Sequence, residues 1–282
     1  MLSEHDTRHA VRTITFDKAD TAAEVAQNIR DMKNCSISVD TVRRTLKKAG
    51  LKAVVKKKKP KLTAKQKKDR LDFAMAHKYW TTDDWKRVVW SDETKINRLQ
   101  SDGRSWTWKR RGRGLIEREV EETLKFGGGH IMIWGCMLWE GTGNMCKIDG
   151  LMDQHLYTEI LEEDLLQTLV EYGKTPESVI FMQDNDPKHT SKKARQFLRD
   201  HSLAVLPWPA NSPDLNPIEH LWNYIKKRLK DYPQPPNGIL ELWDRVQDEW
   251  AKIPAEECQK LIESLPRRID AVIKAKGGHV KY

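Results

Sequence analysis

An α/β fold is predicted for most of this chain: a mixed sheet flanked by helices, preceded by a small all-α helix-turn-helix domain. Three observations predict it. Two apolar runs, Val88-Val89-Trp90 and Val179-Ile180-Phe181-Met182, stop abruptly on acids, as buried strands do. Strand-like segments come first in the body and then alternate with amphipathic helices, the order of a sheet covered by helical layers. The charge is also lopsided. Residues 1–78 hold 20 Lys and Arg against 9 Asp and Glu, whereas residues 79–282 hold 30 against 32. The basic character therefore belongs to a separate N-terminal module that suits a polyanion.

The elements follow in order. A weak helix is expected over Ser3–Ile14. Thr21-Ala-Ala-Glu24 reads as a capping box, and Val25, Ile29 and Met32 continue it as one apolar face. After a polar turn, Ser38 caps a second helix with Val39, Val42, Leu46 and Ala49 facing inward, and Gly50 ends it. Arg43, Arg44, Lys47 and Lys48 project from the opposite side. Two short helices joined by a tight turn, the second basic outside, describe a helix-turn-helix whose second helix enters a DNA major groove. The run Lys56–Lys59 with Pro60 reads as an exposed linker. Thr63-Ala-Lys-Gln66 is another capping box, opening a helix that carries Leu71, Ala74 and Met75 toward Trp80.

In the body, the strand Arg87–Trp90 ends at Asp92. Lys95–Leu99 is expected to return as the next strand, Asp102-Gly103 to make a hairpin turn and Ser105–Trp108 to form a third strand. His130–Leu138 reads as a strand and Gln154–Tyr172 as a long helix. The strand before Asp184 follows, then a helix over Lys192–His201 and a short strand at Leu203–Leu206. Pro207, Pro209 and Pro213 make a rigid connector. Pro217 starts a helix with Ile218, Leu221, Trp222, Ile225 and Leu229 on its buried face.

Asp92, Asp184 and Glu219 each sit at an element end beside a break, where α/β sheets place ligands. Each also has a local explanation: Asp184-Asn-Asp-Pro is turn chemistry, and Asn216-Pro-Ile-Glu219 is a capping pattern. Taken together, three carboxylates repel unless a cation lies between them. Hard oxygen ligands suit Mg²⁺ or Mn²⁺, which also bind phosphate oxygens. Two such ions about 4 Å apart suit phosphodiester chemistry.

Composition narrows the alternatives. No run of about 18 apolar residues exists, so no membrane span is expected. The first residues lack the apolar core of a signal peptide. Cys35, Cys136, Cys146 and Cys258 form no CxxC pair, so neither a zinc site nor disulfides are implied, and a reducing compartment is expected.

Three stretches resemble the Tc/mariner superfamily of DDE transposases: VVWSDET at 88–94, MQDNDPKHTS at 182–191 and NSPDLNPIEHLWNYIKKRL at 211–229. The 34 residues between Asp184 and Glu219 match the spacing of the Tc-like branch. VDTVRRTLKKAGLKA at 39–53 resembles the end of that family's second helix-turn-helix, and GGGHIMIWGCML at 127–138 its central strand.

The resemblance implies a helix-turn-helix domain over 1–52, a basic linker and connecting helix over 53–80, and an RNase H-like catalytic domain over 81–282. It implies Asp92, Asp184 and Glu219 as catalytic residues and metal ligands for two Mg²⁺ or Mn²⁺ ions. Cleavage at terminal inverted repeats, joining of 3′ ends to a TA target, a homodimer on double-stranded DNA and a nuclear location are likewise implied. Asn185 and His189 match the motif as outer or structural partners. Asp186 and Asp214 read as turn and connector residues, and Trp90, Trp134 and Trp222 as core. Family members usually carry two helix-turn-helix units, whereas the residues before Thr21 suffice for one three-helix unit. The rival readings are a catalytically silent, transposon-derived DNA-binding protein and a stand-alone nuclease.

Overall fold

The structure is a computed structural model that describes residues 2–16, 19, 21–33, 35–53, 61–99 and 128–281. The expected hairpin turn at Asp102-Gly103, the strand at Ser105–Trp108 and the lysine run before Pro60 lie outside these residues. The chain divides into two compact units, residues 1–60 and 61–282.

The smaller unit holds three helices, α1 (Glu4–Thr15), α2 (Ala22–Lys33) and α3 (Val39–Lys48). Ser3 and Asp6 form a reciprocal capping box on α1. The Thr21 hydroxyl accepts the Glu24 amide at the start of α2, and Ser38 accepts the Thr41 amide at the start of α3. Beyond α3, Gly50 adopts φ +81. The Leu51 amide then reaches the Leu46 carbonyl, closing the helix end with the left-handed turn that glycine allows. Ala10, Val25, Ala26, Ile29 and Val42 form the core. Met32 and Ala49, expected on the inner faces, are exposed. The apolar stripe turns away before either residue is reached.

The larger unit opens with α4 (Ala64–Ala76), capped by the Thr63–Gln66 box, and a short helix α5 (Thr82–Trp85). Phe73 and Ala74 are buried, while Met75 is exposed. α4 is more than a connecting helix, because its Arg70 is fully buried in the unit. The five-stranded sheet has the order β3-β2-β1-β4-β5, with β1 (Val88–Asn97), β2 (His130–Leu138), β3 (Gly141–Ile148), β4 (Ile180–Met182) and β5 (Ala204–Val205). β1, β2 and β3 are antiparallel neighbours, and β4 and β5 join in parallel. Lys95–Asn97 does not return as a new strand. It continues β1, because Thr94 and Ile96 keep the alternating inward pattern and pair with Ile133 and Ile131.

Helices cover both faces. Val88, Trp90, Ile96, Ile133 and Met137 pack against α9 (Ile218–Arg228), α10 (Ile239–Ala251), α11 (Ala255–Glu263) and α12 (Leu265–Lys274). Val89, Trp134, Cys136 and Phe181 face the other way. They meet α6 (Gln154–Ile160), a π-helical stretch (Leu161–Leu166), α7 (Gln167–Glu171) and α8 (Lys192–Asp200). The long helix expected over 154–172 is thus present with a π-helical middle. Trp90, Trp134 and Trp222 are core, as expected. No helix among the described residues is long and apolar enough to cross a membrane.

Gly135 of β2 sets how closely α9 approaches. It lies opposite Asp92, and a Cβ at that position would stand 2.8 Å from the Trp222 ring. Gly135→Ala is expected to cost about 1–3 kcal/mol through overpacking, read as a lowered melting temperature. A variant as stable as the parent would show that Trp222 yields.

Candidate active site

β1 carries the first acid, but not at its end. β4 pairs with β1 only across Val88–Trp90, so beyond Trp90 the strand continues with a neighbour on one side alone. Continuing the parallel register by two residues sets Asp92 level with Asp184. The two acids therefore flank the point where β4 leaves the sheet. The sequence expectation of a strand end holds for Asp184. Asp92 lies in mid-strand, because β1 pairs with β2 well past it.

Glu219 lies in the first turn of α9. Glu219 does not act as a capping-box partner: α9 begins at Ile218 after Pro217, which makes no side-chain cap bond, and it is the Asn216 side chain that accepts the Ile218 amide, at 3.4 Å. Asp92, Asp184 and Glu219 line one cavity of about 350 Å³, with Asn185, Asp186 and Asn216 among the other lining residues. The proline-rich connector forms one wall. The Asn185 side chain fixes it by donating to the Trp208 carbonyl at 2.7 Å.

Electrostatics separate the three acids. Burial raises the Asp92 pKa well above the usual carboxylate value, and the charges of Glu219, Glu93 and Asp184 raise it further. Burial also raises Glu219, against a lowering by Lys226. At Asp184 burial works upward too. It is outweighed by the hydrogen bond from His189, the Asp186 amide and the Lys188 charge, so the pKa falls below the ordinary value. The turn reading of Asp184 is also correct, since its Oδ1 accepts the Asp186 amide at 2.9 Å. Among the described residues, no three His, Cys, Asp or Glu side chains are drawn tightly enough together to hold a metal ion.

His189 is buried and spans two carboxylates. Its Nδ1 is 2.7 Å from Asp184 Oδ1 and its Nε2 is 3.1 Å from Glu93 Oε1. The ring packs on Tyr157 at 4.1 Å between centroids. Tyr157 in turn donates to Gln183 at 2.5 Å, and Gln183 donates to the His189 carbonyl. Burial alone would lower the His189 pKa, but its two acidic partners push it up to about 9. Glu93 is the residue that sequence reasoning missed. Its neighbour Asp92 points to the α9 side of β1, and strand alternation sends Glu93 to the α6 side, where His189 waits. The adjacent acid pair was the available signal.

The expected DNA-contacting residues lie on the smaller unit. Arg43, Arg44, Lys47 and Lys48 all lie on the exposed side of α3, and the Arg43 guanidinium is 2.7 Å from Asp40. Asp214 is a connector residue in full, buried and paired with Arg70.

Residues 87–238 match the model of the DDE superfamily endonucleases, and residues 7–79 match a transposase family model. The chain is similar to the transposable element Tc1 transposase of Caenorhabditis elegans, with 36% identity over 98% of this chain and 99% of that protein. It is similar to the Tcb2 transposase of Caenorhabditis briggsae at 34%, with the same coverage. Among solved structures, the Mos1 transposase paired-end complex with the left transposon end superposes with a TM-score of 0.82. That match has 20% identity and covers 98% of this chain and 80% of that one, a likeness of fold. With an acid-lined cavity at the split of a mixed sheet, a helical N-terminal unit and near full-length kinship to Tc1 and Tcb2, the chain belongs to the Tc/mariner family of DDE transposases.

Proposed function

We propose that this chain is a DNA transposase. It cuts DNA at terminal inverted repeats and joins the freed 3′ ends to a TA target, acting as a homodimer on double-stranded DNA in the nucleus. The observation that supports this reading best is the shared cavity of Asp92, Asp184 and Glu219. Three carboxylates lining one cavity are hard-oxygen donors of the kind that would suit Mg²⁺ or Mn²⁺. Two such ions, when bound, activate the attacking oxygen and stabilise the leaving 3′ oxygen.

The protein's own groups do the rest. Asp92, Asp184 and Glu219 would hold the ions. His189, clamped by Glu93, orients the Asp184 carboxylate. Asn216 supports Asp92, with its side-chain nitrogen 3.4 Å from Oδ2. The test is incubation of the full chain with DNA bearing its element's inverted repeats, with Mg²⁺ or with a chelator. Metal-dependent 3′-hydroxyl ends at the repeats are expected. Binding without any cleavage would favour the catalytically silent, transposon-derived DNA-binding protein instead.

The N-terminal unit is assigned sequence recognition through the exposed face of α3. Replacing Arg43, Arg44, Lys47 and Lys48 by glutamine is expected to weaken binding of the full chain to DNA. The log–log salt slope should become shallower by up to about 0.9 for each phosphate that is no longer neutralised. An unchanged slope and affinity would remove α3 from the interface.

A further inference from the structure

A second cavity, of about 510 Å³, opens farther along α9. Its walls are the end of β1 (Ile96–Leu99 side), the C-terminal half of α9 and the proline-rich strap around Tyr232–Pro236. Two arginines are already spent on building it. Arg98 donates to the carbonyls of Gly128, Pro236 and Asn237 at 2.6–2.9 Å. Arg245 donates to the Gln234 carbonyl and lies 4.6 Å over the Tyr232 ring. The strap is therefore a fixed wall, and the lysines of α9 supply the charge inside it.

Those lysines are arranged in line with Glu219. At 100° per residue, Glu219, Asn223 and Lys226 fall within about 60° of one another, with Lys227 at the margin, and Lys230 follows in the turn just past the helix. Ile218, Leu221, Trp222 and Ile225 face the core instead. Asn223, Lys226, Lys227 and Lys230 all line the second cavity. Lys227 and Lys230 are exposed and make no ion pair among the described residues. Lys226 is close enough to Glu219 to act on its carboxyl electrostatically.

The geometry points to a DNA-strand subsite: the phosphodiester backbone leaving the Glu219 cavity runs along α9 and is held by Lys226, Lys227 and Lys230 in the second cavity. The inference rests on reading the Glu219 cavity as the site of DNA cleavage. A rise of about 1.5 Å per residue puts Lys226 roughly 10 Å beyond Glu219, and Lys230 lies in the turn that ends α9. At about 3.4 Å per nucleotide along one strand, Lys226 meets a phosphate about three nucleotides from the scissile one, and Lys230 meets one farther out. The strand is either the transposon-end DNA or the target DNA. Both present the same phosphates.

The test uses the full chain with Lys226, Lys227 and Lys230 all changed to glutamine, beside an all-arginine variant that keeps the charge. The probes are a duplex carrying the inverted repeat with its flank and a separate duplex carrying a central TA. If all three lysines meet duplex phosphates, the salt slope on one duplex falls by about 2.7, so the affinity ratio between 50 and 200 mM salt shrinks roughly 40-fold. Backbone protection disappears from about three nucleotides beyond the scissile or joining position outward. The arginine variant retains both signals, and melting curves match the parent. The duplex whose protection disappears identifies the source. Unchanged slope and protection on both duplexes overturn the subsite. Neither readout requires cutting, so a chain that binds this way but never cleaves would refute the proposed cleavage and leave the subsite standing.

Discussion

Asp184→Asn is expected to abolish Mg²⁺-dependent cleavage while leaving the fold and DNA binding in place. Asparagine keeps the carbonyl oxygen that accepts the Asp186 amide and faces His189. Exchanging charged for neutral hydrogen bonds costs about 1 kcal/mol. What disappears is the negative charge facing the cavity. Even partners one shell outside a metal commonly change affinity or activity by about 10–100-fold, so removal of a ligand should exceed that range. Affinity for repeat DNA should change little, because the basic residues lie elsewhere. Cleavage near the parent level would show that Asp184 is a turn residue and nothing more. Cleavage lost together with folding would be answered by Glu219→Gln, since Glu219 makes no capping bond on α9.

The second large effect is structural. Arg70 is fully buried and all five of its N–H donors are engaged. Nε donates to the Gly277 carbonyl at 2.9 Å, and the two terminal nitrogens form a fork on Asp214 at 2.8 and 2.9 Å and reach the carbonyls of Asn211 and Gly278. Asp214 also accepts the Val280 amide at 2.8 Å. Arg70→Met removes the guanidinium fork from a buried carboxylate and should destabilise the larger unit by about 3–5 kcal/mol. For a unit of this size that is a drop of roughly 6–20 °C in melting temperature. Arg70→Met with Asp214→Leu should be milder than the single change, because no orphaned charge remains. A single variant within about 1 kcal/mol of the parent would show that the charge is relieved by water or rearrangement. Cleavage should fall with stability, since Asn211 and Ser212 line the acid cavity.

Where a local pattern decides structure, the sequence was readable. The caps at Thr21, Ser38 and Thr63, the glycine stop after α3 and the helix after Pro217 all depend on a few neighbouring residues. The extent of β1 was not readable in that way. Asp92 and Glu93 look like a stop, yet pairing with β2 carries the strand through them. β3 escaped notice because Gly141, Gly143 and Asn144 are poor strand formers, and pairing with β2 holds it in place. The three C-terminal helices α10–α12 were not singled out, and they close the face on which α9 packs. Three acids could be proposed from motif and position. Their common cavity could not, because it depends on β4 leaving the sheet two residues before Asp184. Glu93 and Arg70 act through partners 96 and 144 positions away, and no local pattern announces such bonds.

The Arg70 anchor also has a consequence in time. Its carbonyl acceptor at Gly277 lies 207 residues later in the chain. At about 5–20 residues per second of synthesis, Arg70 waits roughly 10–40 s for that partner to be made. Throughout that interval α4 carries a cation destined for a dry interior, and the connector loop lacks the tail amide that completes Asp214. The larger unit therefore cannot finish folding until residues 277–280 have been made. Residues 277–280 act as a latch, so a product terminated before them lacks the closure of the acid cavity's wall.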